Sequence, residues 1–280
     1  MRIAVTGSAG FIGSAVVRQL EGRGDVVVGI DRRDGYDICT ADLRELVAGC
    51  DSVIHLAGVL GTAELFDEIE RAITVNMGGT LRVLQACRAV EAGYIGITMP
   101  DVFPSIYTAT KAGAQRMASA FNNAFGLMVC HVRAFNAYGP GQAHGPAHPR
   151  KIIPAFACEG WSGRPLTIWG DGTQTVDLIH VDELARVLVA AVEHGDDAVI
   201  DAGTGVPVTV NDVARHVLKV TRSTAGLHYM PMRRGETATH ICARGLGWDR
   251  LTHPPQVTPG LLDATIGSYR DHEMVAGWAA

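Results

Sequence analysis

Residues 6–13 read TGSAGFIG, and this stretch decides the fold that the sequence predicts. Gly7, Gly10 and Gly13 lie between the apolar run RIAV and an amphipathic stretch that begins at Phe11. The first glycine permits a tight turn, the second lets backbone approach a phosphate, and the third lets the helix pack on the strand. The free N–H groups and the positive end of that helix then face an anion, so the loop predicts a dinucleotide site.

Short β-branched runs alternate with amphipathic stretches along the first half of the chain. We predict strands over residues 3–5, 26–30, 52–55, 94–98 and 128–133, and helices over 11–20, 80–90 and 111–125. Strands that alternate with helices in this way pair in parallel through right-handed crossovers. The sequence therefore predicts the α/β class: a Rossmann-type doubly wound parallel sheet with a smaller, interleaved C-terminal substrate lobe.

The composition of the chain changes after Asn136. The segment AYGPGQAHGPAHP is rich in proline and glycine, which predicts a loop that leaves the first domain. A helical run at 181–192, followed by the strand-like AVIDAG, predicts a return to the main sheet. We expect a dinucleotide-binding domain over residues 1–137, rejoined by 174–203, and a substrate-binding lobe made of 138–173 and 204–280. Trp161 and Trp248 are expected to anchor that lobe by burial.

Composition argues against several classes of protein. A length of 280 residues, with 47% hydrophobic residues, 19% charged residues and 33 glycines, fits a compact α/β protein. The net charge of -5, without a basic run longer than a pair, argues against nucleic acid or an anionic membrane as partner. Six dispersed cysteines without a CxxC pair argue against a zinc knuckle and a disulfide framework.

The apolar segments indicate where the protein is located, and the histidines indicate whether it binds a metal. LARVLVAAV is interrupted by Arg186, and no other stretch is long enough to span a bilayer. The first residues could pass for a signal peptide, but their glycine spacing fits the dinucleotide loop better. We therefore expect a cytoplasmic protein. His144 and His148 lie in a proline-rich loop without a third ligand, so no metal site is expected.

Asp31 ends the second predicted strand, about 20 residues after the glycine loop. An acid at this position accepts hydrogen bonds from an adenosine ribose and repels a 2′-phosphate, so NAD is favoured over NADP. Arg32 and Arg33 follow directly and could instead pair with a 2′-phosphate or stack on adenine. A plain turn-forming role for Asp31 is the alternative to cofactor binding.

YTATK sets Tyr107 and Lys111 four residues apart at the start of a helix, so both side chains share one face. A nearby lysine cation is expected to lower the pKa of the phenol. The phenol can then exchange a proton with a sugar or alcohol hydroxyl while hydride moves to nicotinamide. The string is common by itself, but its position behind a strand of a Rossmann pattern predicts a catalytic pair.

The chain resembles the extended short-chain dehydrogenase/reductase family, and within it the NAD-dependent epimerase/dehydratase group that acts on nucleotide sugars. The resemblance covers nearly the whole chain and rests on TGSAGFIG, Asp31, Asp42-Leu43, HLAG at 55–58, NMGGT at 76–80, YTATK at 107–111, RAFNAYGPGQ at 133–142 and PLTIWGDGTQTVDLIHVDE at 165–183. The last two motifs are typical of the nucleotide-sugar branch. The resemblance implies NAD as cofactor and a nucleotide-diphosphate sugar as substrate.

The resemblance also implies the residues that bind the cofactor. They include the three glycines, Asp31 and Arg32. Phe11 and Ile12 are implied along the pyrophosphate, and Asp42 and Leu43 at the adenine. Leu56, Ala57, Gly58 and Asn76 are implied on the path to nicotinamide, Phe135 near the nicotinamide, and Tyr107 and Lys111 beside the cofactor, where the lysine orients the ribose.

Three further residues are implied at the substrate. Asn136 resembles the residue that binds the sugar diphosphate, Trp169 an aromatic side chain that packs on the nucleobase, and Arg234 of RRGE a phosphate-binding arginine. An amide donor, a stacking face and a guanidinium fork suit these three partners.

The sequence departs from the family pattern at the substrate side. Met99 stands where the family has a serine or threonine that hydrogen-bonds the reacting hydroxyl. A thioether cannot donate, so either Thr98 takes over this catalytic role or the role is lost. The loop 99–107 is shorter than its family counterpart, and Val176 replaces a second phosphate-binding arginine.

The same loop bears on the reaction. Asp101 occupies the position of a catalytic acid in the dehydratases of the group, but Pro100 replaces the neighbouring carboxylic acid. Without that pair, β-elimination of water lacks a proton donor. We therefore expect a nucleotide-sugar epimerase, which transfers hydride to NAD and back and needs no net oxidant.

Two alternatives remain open, a nucleotide-sugar dehydratase or 4-ketoreductase, and a catalytically degenerate protein that binds NAD as a sensor. The family commonly forms dimers through the two helices that flank the catalytic lysine, so a homodimer is implied by resemblance.

Overall fold

A computed structural model describes residues 1–100, 102–146, 148–272 and 275. Its main sheet has six parallel strands: β1 (Arg2–Thr6), β2 (Val26–Ile30), β3 (Ser52–His55), β4 (Gly93–Thr98), β5 (Val129–Ala134) and β9 (Asp196–Ala202). Their spatial order is β2-β1-β3-β4-β5-β9. The order reverses at β1, and ligands of such sheets bind beyond the carboxyl ends of the strands at this switch point.

Helices cover both faces of the sheet. On one face lie α1 (Phe11–Gly22) and α7 (Val181–Ala190), and on the other α4 (Thr80–Val90) and α5 (Ile106–Phe125). Shorter segments complete this domain: α2 (Leu43–Leu46), α3 (Ile69–Ala72), a π-helix (Ile73–Gly79) and 3-10 turns at Arg32–Asp34, Glu64–Phe66, Ala191–Glu193 and Trp248–Arg250. Each face buries its own apolar cluster against the sheet, as a doubly wound fold requires.

The smaller lobe contains two short sheets. One consists of β6 (Asn136–Tyr138), β8 (Thr175–His180) and β10 (Pro207–Thr209), and the other of β7 (Leu166–Trp169) and β11 (Leu227–Met230). Three helices, α6 (Ile152–Trp161), α8 (Val210–Thr221) and α9 (Leu261–Ser268), pack there around a third apolar cluster. Among the described residues, no helix is both long and apolar enough to cross a membrane.

The predicted fold class is confirmed, and β9 pairs with β5, so the chain does return to the main sheet. Helix α5 begins at Ile106, before the amphipathic stretch 111–125, so the prediction that YTATK lies at the start of a helix is confirmed. The cause is a capping box, in which Ser105 Oγ accepts from the Thr108 N–H and Thr108 Oγ1 accepts from the Ser105 N–H. Tyr107 therefore lies inside a stable first turn.

The two tryptophans anchor different parts of the molecule. Trp161 donates its indole N–H to the Ile266 carbonyl at 2.8 Å, within the small lobe as predicted. Trp248 instead donates to the Asp201 carbonyl at 2.8 Å and, with Leu251, packs against the main-sheet core. The expected anchoring of Trp248 in the small lobe is therefore wrong, since the C-terminal segment returns to the first domain here. The bounds of the two lobes remain predictions.

Candidate active site

The glycine loop brings bare backbone to the amino end of α1. Gly7 has φ +74°, and a Cβ on it would lie 2.9 Å from the Ala57 nitrogen. A Cβ on Gly13 would lie 2.0 Å from the Gly7 oxygen, and one on Gly10 would lie 3.0 Å from the same atom. No side chain caps α1 at Gly10, so the N–H groups of its first turn are available to an anion. These features fit the pyrophosphate of a dinucleotide, along which Phe11 and Ile12 would lie.

Asp31 and Arg33 follow β2 and hold the glycine loop through hydrogen bonds to its backbone. Asp31 accepts from the Ala9 N–H at 3.1 Å with one carboxylate oxygen and from the Arg33 N–H at 2.9 Å with the other. Arg33 Nη1 returns a hydrogen bond of 2.6 Å to the Ala9 carbonyl. Both polar groups of Ala9 are thereby held, while Arg32 stays exposed. Asp31 therefore positions the loop, and its contact with the ribose remains a prediction.

We predict that Asp31→Asn raises the Kd for NAD about tenfold, because hydrogen bonds to a charged group contribute about 1.5–3 kcal/mol. The preference for NAD over NADP should shrink as well, because the negative charge that repels a 2′-phosphate is gone. Titration calorimetry with both nucleotides measures these changes. Asp34→Asn, in the same exposed 3-10 turn, is the matched control, and an equal loss in both variants would contradict the prediction.

The two residues expected at the adenine both have roles in the fold. Asp42 Oδ1 accepts from the Glu45 N–H at 3.2 Å and so caps α2. Leu43 is 4% exposed and packs in the core beneath α4. Their contact with adenine remains a prediction.

A buried hydrogen-bond chain sets the end of β3. The imidazole of His55 lies between Thr6 Oγ1, at 2.7 Å from Nδ1, and Thr80 Oγ1, at 3.0 Å from Nε2. Thr6 Oγ1 also accepts from the N–H groups of Leu56 and Ala57, each at 3.1 Å. The segment that leads from β3 toward the expected nicotinamide position is therefore tied to β1, beside the glycine loop.

Asn76 continues this network toward α5. Its Oδ1 accepts from the Val59 N–H at 2.9 Å, and its Nδ2 donates to the Val59 carbonyl and to Thr110 Oγ1, each at 3.1 Å. A Cβ on Gly58 would lie 3.0 Å from Asn76 Oδ1. Asn76 thus connects the predicted cofactor path to the helix that carries Tyr107.

Burial makes the His55 network sensitive to acid. Desolvation lowers the pKa of His55 to about 3 from 6.5, with a smaller contribution from the charge of Lys111. The folded-state pKa lies below the unfolded value, so the unfolded chain binds more protons between these two pH values. Stability from neutral His55 is therefore present above pH 6.5 and is lost as the pH falls toward 3.

We predict that the free energy of unfolding falls by about 3–5 kcal/mol over this range through His55 alone. Urea unfolding at a series of pH values measures the slope. His55→Gln should flatten it, whereas His216→Gln, an exposed side chain paired with Asp263, should leave it unchanged. Identical slopes for the wild type and His55→Gln would refute this account.

Tyr107 and Lys111 lie one turn apart in the first half of α5. Burial raises the pKa of the Tyr107 phenol to about 12 and lowers the pKa of the Lys111 ammonium to about 8. The expected lowering of the phenol pKa is therefore wrong for the protein alone, because desolvation of the phenolate dominates. Neither the phenol oxygen nor the ammonium forms a hydrogen bond with another described residue. Both polar groups are thus available to ligands.

Thr98 is engaged by α5. Its Oγ1 donates to Gln115 Oε1 at 2.8 Å, and Gln115 lies one turn beyond Lys111. The following Met99 is half-buried. The hydroxyl of Thr98 anchors the helix to β4, and its help in catalysis remains a prediction. Asp101 lies outside the described residues.

Two of the residues expected at the substrate, Asn136 and Trp169, each have a buried polar atom without a hydrogen-bond partner. Among the described side chains, Asn136 Oδ1, Trp169 Nε1 and Gln174 Oε1 are buried without a hydrogen bond. Such atoms are costly unless a ligand or water satisfies them. Gln174 was missed by the sequence reasoning; its Nε2 donates to the Trp169 carbonyl at 2.7 Å. Phe135 is 9% exposed and packs on Gly203, and its contact with nicotinamide remains a prediction.

The adjacent arginines of RRGE face opposite ways. The Arg234 side chain is 74% exposed, pairs with Asp67 at 3.5 Å and covers the Phe66 ring. Arg233 is only 20% exposed and bridges Glu64 and Glu236. Arg233, rather than the expected Arg234, therefore turns inward toward the loop that follows β3.

A second cation lies beside Arg233. Lys151 precedes α6, and burial lowers the pKa of its ammonium, an effect that Glu64 and Glu236 oppose. Val176, in contrast, is 8% exposed within the small-lobe core, where it pairs with Val208. The sequence analysis missed Lys151 and Arg233. Their partial burial distinguishes them from the many exposed basic residues, and this burial cannot be read from the sequence. No cluster of three or more metal-ligating side chains occurs among the residues described.

The main sheet is parallel and doubly wound, with a glycine loop at its switch point, and a tyrosine and a lysine lie one turn apart on α5. Together these features define a dinucleotide-dependent enzyme of the extended short-chain dehydrogenase/reductase type. The model of the NAD dependent epimerase/dehydratase family matches residues 3–96 and 98–203. The chain belongs to this family of nucleotide-sugar enzymes, and its cofactor is NAD.

Relatives with different activities match almost the whole chain. The dTDP-4-dehydro-6-deoxy-D-allose reductase of Streptomyces bikiniensis is 27% identical, covering 96% of this chain and 96% of its own. The dTDP-glucose 4,6-dehydratase of Streptomyces griseus is 29% identical, covering 96% and 94%. The crystal structure of UDP-glucose 4-epimerase from Thermotoga maritima, with UDP-glucose, superposes with a TM-score of 0.87 at 26% identity, covering 96% and 99%. Three reactions thus occur among relatives at nearly equal identity.

Proposed function

We propose that this protein is an NAD-dependent nucleotide-sugar epimerase. The observation that carries the choice of reaction is Pro100, which stands where the dehydratases of the resembling group hold a carboxylic acid. A prolyl side chain can neither donate nor accept a proton, so a hydroxyl leaving by β-elimination would depart without that acid. Epimerisation needs only one acid/base group, and Tyr107 supplies it.

The proposed steps use the half-buried side chains of Tyr107 and Lys111 in α5. Tyr107 reacts as the phenolate: it accepts the proton of the sugar hydroxyl as the adjacent C–H bond breaks, and the resulting phenol returns this proton when that bond forms again on the other face. Lys111, with a pKa of about 8, is mostly charged at neutral pH and stabilises the phenolate that accepts the proton, against the burial that raises the phenol pKa. NAD, when bound, supplies the hydride acceptor and donor. Net oxidation is zero, so the protein can retain one cofactor through many turnovers.

The unpartnered polar atoms support a nucleotide-diphosphate sugar as substrate. Asn136 and Trp169 each offer a buried group that a ligand would satisfy, and Arg233 and Lys151 offer positive charge for a diphosphate. Arg233 would exchange a carboxylate partner for a phosphate. Because guanidinium forks match phosphate oxygens, we propose Arg233 in the role first expected of Arg234.

Product analysis tests the proposed reaction. The purified protein is incubated with UDP- and dTDP-hexoses, and the products are identified by NMR and mass spectrometry. An isomer of unchanged mass, without net formation of NADH, is the expected result. Consumption of added NADH would identify a reductase, and loss of water with a keto-deoxy product would identify a dehydratase; either would overturn the proposal.

A second candidate function is a sensor that binds NAD without turnover. The hydrogen bond from Thr98 Oγ1 to Gln115 Oε1 favours it, because the proton that this hydroxyl could donate to a sugar hydroxyl is already used within the protein. Binding of NAD without conversion of any of these sugar nucleotides would select the sensor.

A cytoplasmic location and a homodimer formed through α4 and α5 complete the proposal, and sedimentation of the purified protein measures the oligomeric state.

A further inference from the structure

A loop of the first domain is joined to a loop of the small lobe by polar side chains. Residues 62–67 follow β3, and residues 233–236 follow β11. Thr62 Oγ1 donates to Glu236 Oε1, and Arg233 Nη2 donates to Thr62 Oγ1 at 3.3 Å. Arg233 Nη1 also donates to Glu64 Oε1 at 3.3 Å. The guanidinium proposed to bind the substrate diphosphate is therefore also the centre of this junction.

The charges at this junction cancel one another in the protein alone. Its cations are Arg233 and Lys151, and its acids are Glu64 and Glu236. Two neighbouring ion pairs are neutral by themselves: Arg150 with Glu159 and Arg234 with Asp67. A diphosphate that bound Arg233 while both acids stayed in place would bring its negative charges next to two carboxylates. Binding is therefore favoured only if one acid moves away.

The two acids are held unequally. The Glu236 side chain is 9% exposed and accepts from Arg233 Nε at 2.9 Å, from Arg233 Nη2 and from Thr62 Oγ1. The Glu64 side chain is 40% exposed, and its Oε1 accepts from Arg233 Nη1 and from the Arg150 N–H, each at 3.3 Å. Both of these bonds are longer than the usual range of about 2.7–3.2 Å. Glu64 is thus the acid that a ligand displaces at the lower cost.

We propose that Glu64 is a built-in competitor of the substrate, and that its carboxylate holds the place on Arg233 that a phosphate takes. The inference rests on the proposed function, because it uses Arg233 as a ligand of the diphosphate. Carboxylate and phosphate bind the same N–H groups of a guanidinium, so one excludes the other from the Nη1 edge. Glu64 therefore weakens the binding of ligands that carry a phosphate for Arg233, and leaves the affinity for a phosphate-free nucleoside unchanged.

Calorimetric titration of the whole chain, saturated with NAD, tests this role with UDP, dTDP, uridine and thymidine. Glu64→Gln removes the charge and keeps an oxygen that can accept from the Arg150 N–H, so the fold should be retained. We expect the Kd for UDP and dTDP to fall about tenfold, or 1.4 kcal/mol, with no change for the nucleosides. The matched control is Asp67→Asn, which removes an acid of the same loop that pairs with Arg234 and should leave every Kd unchanged.

A second variant separates direct contact from a general effect of charge. Glu64→Asp keeps the charge but shortens the side chain by one methylene, which breaks the bond to Arg233. It should therefore also tighten the binding of UDP and dTDP, by a smaller factor than Glu64→Gln. Thermal denaturation checks that each variant is folded.

Unchanged or weaker binding of the diphosphates by Glu64→Gln would overturn the competitor while the proposed substrate stands. An equal gain in Asp67→Asn, or an equal gain for the nucleosides, would overturn it too, because the cause would then be general electrostatics or a looser junction. A wild type that binds neither UDP nor dTDP would overturn the proposed substrate, and this inference with it. Turnover is not measured, so the choice between epimerase and sensor does not affect the result.

Discussion

Replacing Tyr107 with phenylalanine is expected to lower kcat by about 10²–10⁴, the range typical of a lost acid/base group. The substitution removes one oxygen from a half-buried ring and leaves the helix unchanged. No described residue loses a hydrogen bond, so stability should fall little. Turnover is measured by the NMR assay of product formation, and NAD affinity by calorimetry. A large loss of kcat with an almost unchanged Kd for NAD is the expected pattern.

The matched control is Tyr229→Phe, which removes the hydroxyl of a half-exposed tyrosine on β11. This variant should turn over at nearly the wild-type rate. If Tyr107→Phe retains wild-type turnover, Tyr107 is not the acid/base and the proposed reaction loses its proton carrier. If the wild type itself shows no turnover with any sugar nucleotide, the sensor is favoured instead.

Replacing Gly13 with alanine is expected to abolish tight NAD binding. The new Cβ would lie 2.0 Å from the Gly7 carbonyl oxygen, so either the glycine loop or the first turn of α1 must move. Overpacking of this kind costs about 1–3 kcal/mol, and the loop that moves is the one that holds the pyrophosphate. We expect the Kd for NAD to rise by about 100-fold, which corresponds to about 2.7 kcal/mol.

Gly22→Ala is the matched control, because it lies in the same helix and a Cβ there meets nothing within 4 Å. Alanine in a helix is favoured over glycine by about 0.5–1 kcal/mol, so this variant should be slightly stabilised and bind NAD normally. Urea unfolding and calorimetry on both proteins make the comparison. Wild-type NAD affinity in Gly13→Ala would contradict the close approach that assigns this glycine to the cofactor site.

Much of the cofactor domain could be predicted from the sequence because its signals are local. Strands β2 and β3 and helix α4 have the predicted bounds, since each combines a clear apolar period with a distinct turn on either side. The apolar period of α5 begins only at 111, and the first turn before it depends on a cap formed by Ser105 and Thr108, a box without the usual glutamate or glutamine.

The substrate side was less predictable, because its roles depend on contacts between distant segments. Arg233 and Arg234 are equivalent in the sequence, and Arg233 turns inward because Glu64, 169 residues away, lies there to receive it. Gln174 carries no sequence signal for its unpartnered oxygen, which results from packing beside Trp169.

The sequence by itself determined the α/β class, the glycine loop with its bare helix end, and the one-turn spacing of Tyr107 and Lys111. These follow from residue types at fixed short spacings, which backbone geometry converts directly into structure. Only the tertiary structure decided that the phenol has a raised pKa, that Asp31 and Arg33 clasp the loop, and which arginine faces inward. Burial and long-range hydrogen bonds come from all sides of the folded chain, so no local pattern contains them.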